Sequence, residues 1–552
     1  MVSWFRYILN TIVHGGLRIN RPFWYHDEFV PVASNAIEEA SKKIVDLGFC
    51  QKRVWEIIRN SYDGEIELIP LVRALEHLPQ LTHKDHESCT TIFCDDTSTN
   101  YTSVPQLHKC PDSKDCATTT DMFNQKHLVA ALNENTTTKT AWALDGTSLV
   151  AQGSRYLAVS HVWSDGTGVG AWEAGRVNQC LWNFWKEIAG KLGCNGVWWD
   201  TVCIPQDKEA RSKALNNMHH NYTAAECTVV HDLYLARMEW KNAESACIAL
   251  VLSPWFTRGW TALELRLSKR VVVLFKKGDA YTLKDLDSEI LAQRPILFSH
   301  AHRIAESYVG RVWKAENTSK PTSKIQKAEN IPESISKIVS VLRARYTSWG
   351  RDQSTIAGLM CGLTVNVTHS EQQITKQILL MFPTIERECL LHGLPTMTEP
   401  QFSWCPPRFV DITTGTPTLH PWEKVKIGYD GILCGFWEVW CISKTTVDEG
   451  TIRPLSMDMS IRGKVQRALQ EPEKHVILTC SIFDAQGLLV RLKGDILRLY
   501  RDQMFCKYIG AVNVTPSAIP KDRERVRKAI HIGYKPGMVD VRVTDWLVRE
   551  RY

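Results

Sequence analysis

The chain has 552 residues, of which 44% are hydrophobic and 23% charged, a balance that excludes wholesale disorder and a fibrous repeat. Its 66 Lys and Arg against 60 Asp and Glu leave a formal charge of +6, too small over this length for a nucleic-acid coat or an anion-steering surface. No apolar run approaches the roughly 18 residues of a membrane-spanning helix, so no membrane span is expected.

The opening stretch MVSWFRYILNTIVHGG places Trp4, Phe5, Ile8, Leu9, Ile12 and Val13 at helical spacing. Arg6 and Asn10 interrupt it and no small-residue cleavage site follows, so it reads as a packing helix and not as a signal peptide. Residues 35 to 60 carry Ile37, Ala40, Ile44, Val45, Val54, Trp55 and Ile58 at three- and four-residue steps, predicting helix broken near Gly48. From His83 to Cys116 the composition turns to Cys, His, Asp, Ser and Thr. Threonine tracts at Thr118–Thr120 and Thr136–Thr138 then flank the helix-like FNQKHLVAALN, and the whole region reads as an appended, loop-rich lobe.

From Arg155 to Phe275 short strands alternate with longer helices. YLAVS (156–160) and GVWWD (196–200) read as strands, with helix predicted around Trp172, Leu181, Trp182, Trp185 and Ile188 and again over Asp207 to Ala225. CTVVHD, CIALVL and RVVVLF supply further β-prone runs. Strand and helix in succession predict a parallel sheet with right-handed crossovers, whose ligand site lies where the carboxyl ends of the strands meet the loops. NTSKPTSKIQKAEN (317–330) has linker composition, and Ile335, Ile338, Val339 and Leu342 mark a helix ending before Gly350. The last 200 residues mix strands such as GILCGFWEVWCI and HVILTCSIFD with turns such as Asp484 to Gly487. The basic run KDRERVRKAI reads as a solvated helix face. The domains expected are therefore an N-terminal helical and Cys/His-rich lobe (1–145), an α/β domain (146–280), a helical connector (281–350) and an α+β region (351–552).

Three polar clusters fall at the predicted strand ends or on a helix that faces them. The first, Ser160-His161-Val162-Trp163-Ser164-Asp165-Gly166-Thr167-Gly168, is a glycine-containing loop able to approach a ligand with its backbone. In the second, Trp198 to Asp207, the carboxylate of Asp200 ends a strand, Cys203 follows and Pro205 stiffens the exit. The third is Trp255 to Leu265, where Trp260 and Glu264 stand one helical turn apart and Arg258 precedes them. Each residue also has a plain structural role open to it. Asp200 can cap a turn, Glu264 and Arg258 can form local ion pairs, and Trp163, Trp198 and Trp199 can simply fill the core.

YLAVSHVW, VWWDTVCIPQD and WFTRGWTALEL, in this order and spacing, resemble the three signature blocks of the fungal heterokaryon incompatibility (HET) domain over roughly residues 150–275. His161 stands where a tyrosine is usual and Ala262 where a glutamine is usual, and neither departure touches an acidic position. HET domains are in turn distantly similar to TIR domains, and the resemblance implies a flavodoxin-like, TIR-like parallel sheet. It also implies a role in nonself recognition and programmed cell death, and hydrolysis of NAD at its N-glycosidic bond with Glu264 as the catalytic carboxylate. Ser160, His161, Trp163, Asp165, Asp200, Cys203, Arg258 and Trp260 would then surround the dinucleotide. The non-enzymatic alternative is an assembly module that recruits partners or self-associates. A thiol hydrolase using Cys203 with His219, His220 and Asp200 is a further, weaker alternative, since Cys203 sits between Val202 and Ile204 like a packed thiol.

Most of the 17 cysteines lie singly in apolar segments, as Cys227 does in ECTVV and Cys247 in ACIALVL. With their odd number this points to reduced thiols in a cytoplasmic setting. The exception is the stretch His86, Cys89, Cys94, His108, Cys110 and Cys116, whose soft ligands in a segment poor in apolar residues are candidates to hold one zinc, against unliganded thiols as the alternative.

Overall fold

A computed structural model describes residues 29–59, the single positions 72, 75, 78, 89 and 90, then 103–110, 116–134, 139–168, 175–292, 300–309, 335–413 apart from 348 and 367, 424–442, 451–479, 486–494, 504–514 and 526–544. The expected N-terminal helix, His86, Cys94, Trp172 and the 317–330 linker lie outside the described residues.

Helices α1 (Phe29–Asp46) and α2 (Gln51–Arg59) meet at Gly48, whose φ of 75° is left-handed backbone that ends a helix cheaply only at glycine. Helix α3 (Gln125–Glu134) buries Leu128 and Leu132. Next come β1 (Trp142–Ala143), β2 (Leu157–His161), α4 (Gln179–Lys191), β3 (Gly196–Trp198), α5 (Lys208–Ala224), β4 (Cys227–His231), α6 (Ala243–Leu252), α7 (Gly259–Leu267), β5 (Val271–Lys277) and β6 (Ala280–Asp285). They form one six-stranded sheet in the order β1-β3-β2-β4-β5-β6. Its four central strands are parallel, and β1 and β6 are antiparallel edges. The expected α/β domain with a parallel sheet is therefore present. Strand β5 sends Val271, Val273 and Phe275 into one core and Val272 and Leu274 into another. Burial on both faces is why it reads as an unbroken apolar run.

CIALVL is not a strand. It lies in α6, where the Asn242 side chain accepts from Ser245 N at 2.8 Å as the N-cap, and every residue from Ala246 to Leu252 is buried. A helix buried all round loses its polar face, and with it the period that separates helix from strand. GVWWD also ends early: the strand stops at Trp198, and Asp200 opens a short helical turn.

Beyond β6 come α8 (His300–Val309), α9 (Ile335–Arg343), α10 (Gly350–Met360) and α11 (Glu371–Leu380), then β7 (Thr384–Glu386), β8 (Lys424–Ile427), β9 (Leu433–Cys441), β10 (Ile452–Pro454), α12 (Met459–Leu469), β11 (His475–Thr479), β12 (Gln486–Gly494), β13 (Met504–Val514), β14 (Val526–Ile532) and β15 (Val539–Asp540). Strands β9, β11, β12, β13 and β14 pair in a closed ring, antiparallel except for β13 with β14. The C-terminal region is thus a barrel with helix α12 packed on its outer side through Ile461, Val465 and Leu469. The run KDRERVRKAI is not a helix where it is described, because residues 526–532 pair with β9 along their whole length and bury Ile530 and Ile532 at period two.

The two regions share a core. Ala262 and Leu263 of α7 pack with Ile335, Ile338, Val339 and Leu342 of α9 and with the barrel strands. Backbone bonds from Gly259 N to Tyr346 O and from Tyr346 N to Thr257 O, both 2.7 Å, stitch α7 to the chain after α9. Replacing Leu342 by alanine should cost about 2–5 kcal/mol. Hydrogen exchange should then rise in α7 as well as in α9, whereas a mere spacer helix would leave α7 protected.

Candidate functional site

The site is built where β2 and β3 end. Strand β2 delivers Ser160 and His161, and the chain then turns through Trp163–Asp165 to Gly166, whose φ is 77°. A Cβ at Gly166 would meet Pro105 O at 2.6 Å and Leu107 N at 2.8 Å, so the close approach of segment 105–107 requires glycine here. Strand β3 is followed by Asp200 at the first position of its short helical turn, and α7 brings Glu264 from the other side.

Two hydrogen-bonded chains result. In one, Trp255 Nε1 donates to Ser160 Oγ at 2.6 Å, and Ser160 Oγ donates to Glu264 Oε2. In the other, the His161 ring bridges Thr167 Oγ1 and Asp200 Oδ1, each at 2.6 Å, while Trp163 Nε1 donates to Asp200 Oδ2 at 2.9 Å. The Thr167 hydroxyl donates to Val162 O at 2.8 Å, so both nitrogens of His161 face oxygen acceptors. Arg258 Nη1 donates to His161 O at 2.8 Å, which brings a cation close to both carboxyls.

The two carboxyls are driven apart. Burial pushes Glu264 up from 4.5 to about 7, reinforced by the charge of Asp200 and opposed by the Ser160 hydrogen bond and Arg258. Burial acts on Asp200 in the same direction, but His161, Trp163 and Arg258 together outweigh it and hold Asp200 at about 2. Asp200 is half-buried, whereas Glu264 is buried. One group is thus a fixed anion at the rim, and the other exchanges its proton near neutrality deeper inside, the kind of pairing in which acid and base roles separate.

The remaining predicted residues are not all gathered here. Asp165 is buried, accepts from Leu233 N at 2.7 Å, and is pushed well up by burial and then by Asp232, so it anchors the turn after β4. Trp260 departs from the face expected of it: its Nε1 donates to Asp352 Oδ2 of α10 at 3.0 Å, away from Ser160. Cys203 is fully buried, and burial pushes its thiol upward. That disfavours the thiolate a hydrolase needs, while His219 is engaged with Asn216 O of its own helix at 2.6 Å. Cys89 packs against Cys50, apart from the cluster formed by His108, Cys110, Cys116 and Cys180.

Three neighbours escape sequence reasoning. Tyr222 of α5 donates to Val159 O at 3.1 Å and lies beside Glu264. Asp232 accepts from Trp255 N at 2.7 Å and so sets the indole that holds Ser160. Arg345, beyond α9, donates to Thr261 Oγ1 at 2.7 Å and packs on Phe256, its ring centroid 4.2 Å from the guanidinium carbon. Burial lowers this guanidinium to about 9, opposed by Glu264. No local pattern marks these three, because each comes from a different element.

A parallel α/β domain with a polar cluster at the ends of its first two parallel strands is the class defined so far. Residues 156–234 match the family model described as heterokaryon incompatibility protein (HET), so the chain carries a HET domain over this stretch. The match runs from just before β2 to the turn after β4, so it includes Ser160, His161, Trp163, Asp165, Asp200 and Cys203 and stops short of Arg258, Trp260 and Glu264. No curated protein and no solved structure matches the chain.

A carboxyl whose proton is held more tightly in the folded state costs stability once the unfolded chain ionises. The cost begins near pH 4.5, is complete above about 7, and amounts to something on the order of 3 kcal/mol. Glu264→Gln, which cannot ionise, should therefore gain on the native protein by about that amount between those two limits. Urea denaturation at both ends of the range checks this, and a difference that does not change with pH would remove the buried, proton-exchanging carboxyl.

Proposed function

We propose that this protein is an effector of heterokaryon incompatibility in a fungus, acting in nonself recognition and the cell death that follows, and that its HET domain hydrolyses NAD at the N-glycosidic bond. The rank order of the four parallel strands, 2-1-3-4, is that of the first four strands of a flavodoxin-like sheet, which supports the TIR-like reading. The observation that carries the chemistry is the Glu264 carboxyl aimed at the end of β2, with Ser160 as its hydrogen-bond partner and Asp200 and Arg258 close by.

Breaking the bond between ribose and nicotinamide develops positive charge on the anomeric carbon. Nicotinamide leaves as a neutral base with the bonding pair, water adds its oxygen to that carbon, and one proton passes to solvent. Ionised Glu264 stabilises the developing cation and accepts a ribose hydroxyl in place of Ser160 Oγ. Trp163 and the Ser160 to Gly168 loop flank the approach, and Asp200, tied to His161 and Trp163, supplies a second negative charge. Because Glu264 is nearly buried, the sugar reaches it only after local rearrangement, which couples turnover to self-association or to a protein partner. The same burial favours the second reading, an assembly module without turnover.

The full chain incubated with NAD, dilute and in crowded or assembled form, separates the two. The enzyme reading expects nicotinamide release from the assembled form, rising as pH climbs through about 7 because the ionised carboxylate is the active species. Glu264→Ala should lower that release by about 100-fold or more. Assembly without nicotinamide release leaves the scaffold.

A further inference from the structure

We infer that His108, Cys110, Cys116 and Cys180 form a zinc site that fastens the Cys/His-rich segment to the first helix of the HET domain. Their four ligand atoms all lie within 4.8 Å of one another. His108 Nδ1 is 3.8 Å from Cys110 Sγ and 3.9 Å from Cys180 Sγ. Ligand atoms bonded tetrahedrally to zinc at ~2.0–2.3 Å sit roughly 3.5–3.8 Å apart, so only small side-chain movements would close this set on an ion. Three thiolates and one imidazole without carboxylates select zinc over hard cations.

A second, independent observation is the environment of Cys180. It occupies the first turn of α4, where the helix dipole favours an anion, and its sulfur accepts a hydrogen bond from Lys109 N at 3.1 Å. Backbone N–H donors to sulfur are the usual outer support of a metal-bound thiolate. The loop carrying His108 is held by Asn178, whose Nδ2 donates to Gln106 O at 3.3 Å and Leu107 O at 3.2 Å.

The site has a consequence for the loop after β2. The segment that carries His108 and Cys110 also donates from Leu107 N to Gly166 O at 2.6 Å and from Gln106 Nε2 to Gly168 O at 3.1 Å. Zinc at the cluster therefore straps residues 105–110 across the loop that holds Trp163 and Thr167. This holds whether or not Glu264 turns over NAD.

The test uses the full chain purified under reducing conditions. Elemental analysis should find one zinc per chain, and Cys180→Ser should lose it while Cys434→Ser, in the barrel, retains it. Alkylation mapped by mass spectrometry on the native protein gives a readout independent of whether the variant folds: Cys110, Cys116 and Cys180 should become labelled together when a chelator is added. Cobalt exchanged for zinc should show sulfur-to-metal charge-transfer absorption, reduced in Cys180→Ser. A chain without zinc, zinc retained by Cys180→Ser, or chelator-dependent labelling at Cys89 and Cys94 instead of these three would each overturn the site.

Discussion

A carboxyl group removed from water at the end of a parallel strand must keep its proton or find partners, and Glu264 does some of both. It accepts a hydrogen bond from Ser160, with Tyr222 beside it; Ser160 is itself held by the Trp255 indole, and Trp255 is placed by Asp232 through its backbone N–H. The line from Asp232 to Glu264 ties the turn after β4, the short helix at Pro254–Thr257, the end of β2 and α7 into one arrangement. Loss of any link would leave a buried polar group without its partner, a larger penalty than the bond's own net contribution.

The six-stranded sheet does not hold this arrangement alone. Helix α7 is wrapped by the sheet on one side and by α9, α10 and the barrel core on the other. The Arg345 guanidinium, brought from beyond the connector, fixes Thr261 one turn from Glu264. Asp352 accepts a hydrogen bond from the Trp260 indole N–H and so holds that ring toward the C-terminal half. Helix α7 is therefore as much an interface between the two regions as part of the polar cluster.

The loop after β2 is constrained from the opposite direction. Segment 105–110 lies against Gly166 and Gly168, so the polar loop is covered by chain that precedes the sheet by some distance in sequence. His161 and Asp200 are held beneath it by Thr167 and Trp163, with Thr201 Oγ1 donating to Thr167 O at 2.9 Å. Glycine permits this close packing at both positions, since a Cβ at 166 would meet the backbone of 105–107 and one at 168 would meet the Trp163 ring at 3.1 Å.

Much of this was legible in the chain itself. Short apolar runs between helical stretches marked β2, β4 and β5, three- and four-residue spacing marked α4 and α9, and the first two polar blocks pointed to Ser160, His161 and Asp200 because residues that end parallel strands must lie at one edge of the sheet, while Glu264 was singled out by the family resemblance. Local pattern failed where burial was complete, as in α6, whose helix shows no polar face, and at 526–532, where pairing with a distant strand overrode a basic, helix-like composition. It also could not choose among thiols: Cys180 is indistinguishable from other cysteines in apolar segments until folding carries it to His108, while Cys89 turns out to face Cys50. Periodicity and strand-end chemistry are encoded over a few residues and so belong to the sequence. Which carboxyl loses its proton, which indole turns inward and which sulfurs meet depend on desolvation and on contacts between segments far apart in the chain, and those only tertiary packing decides.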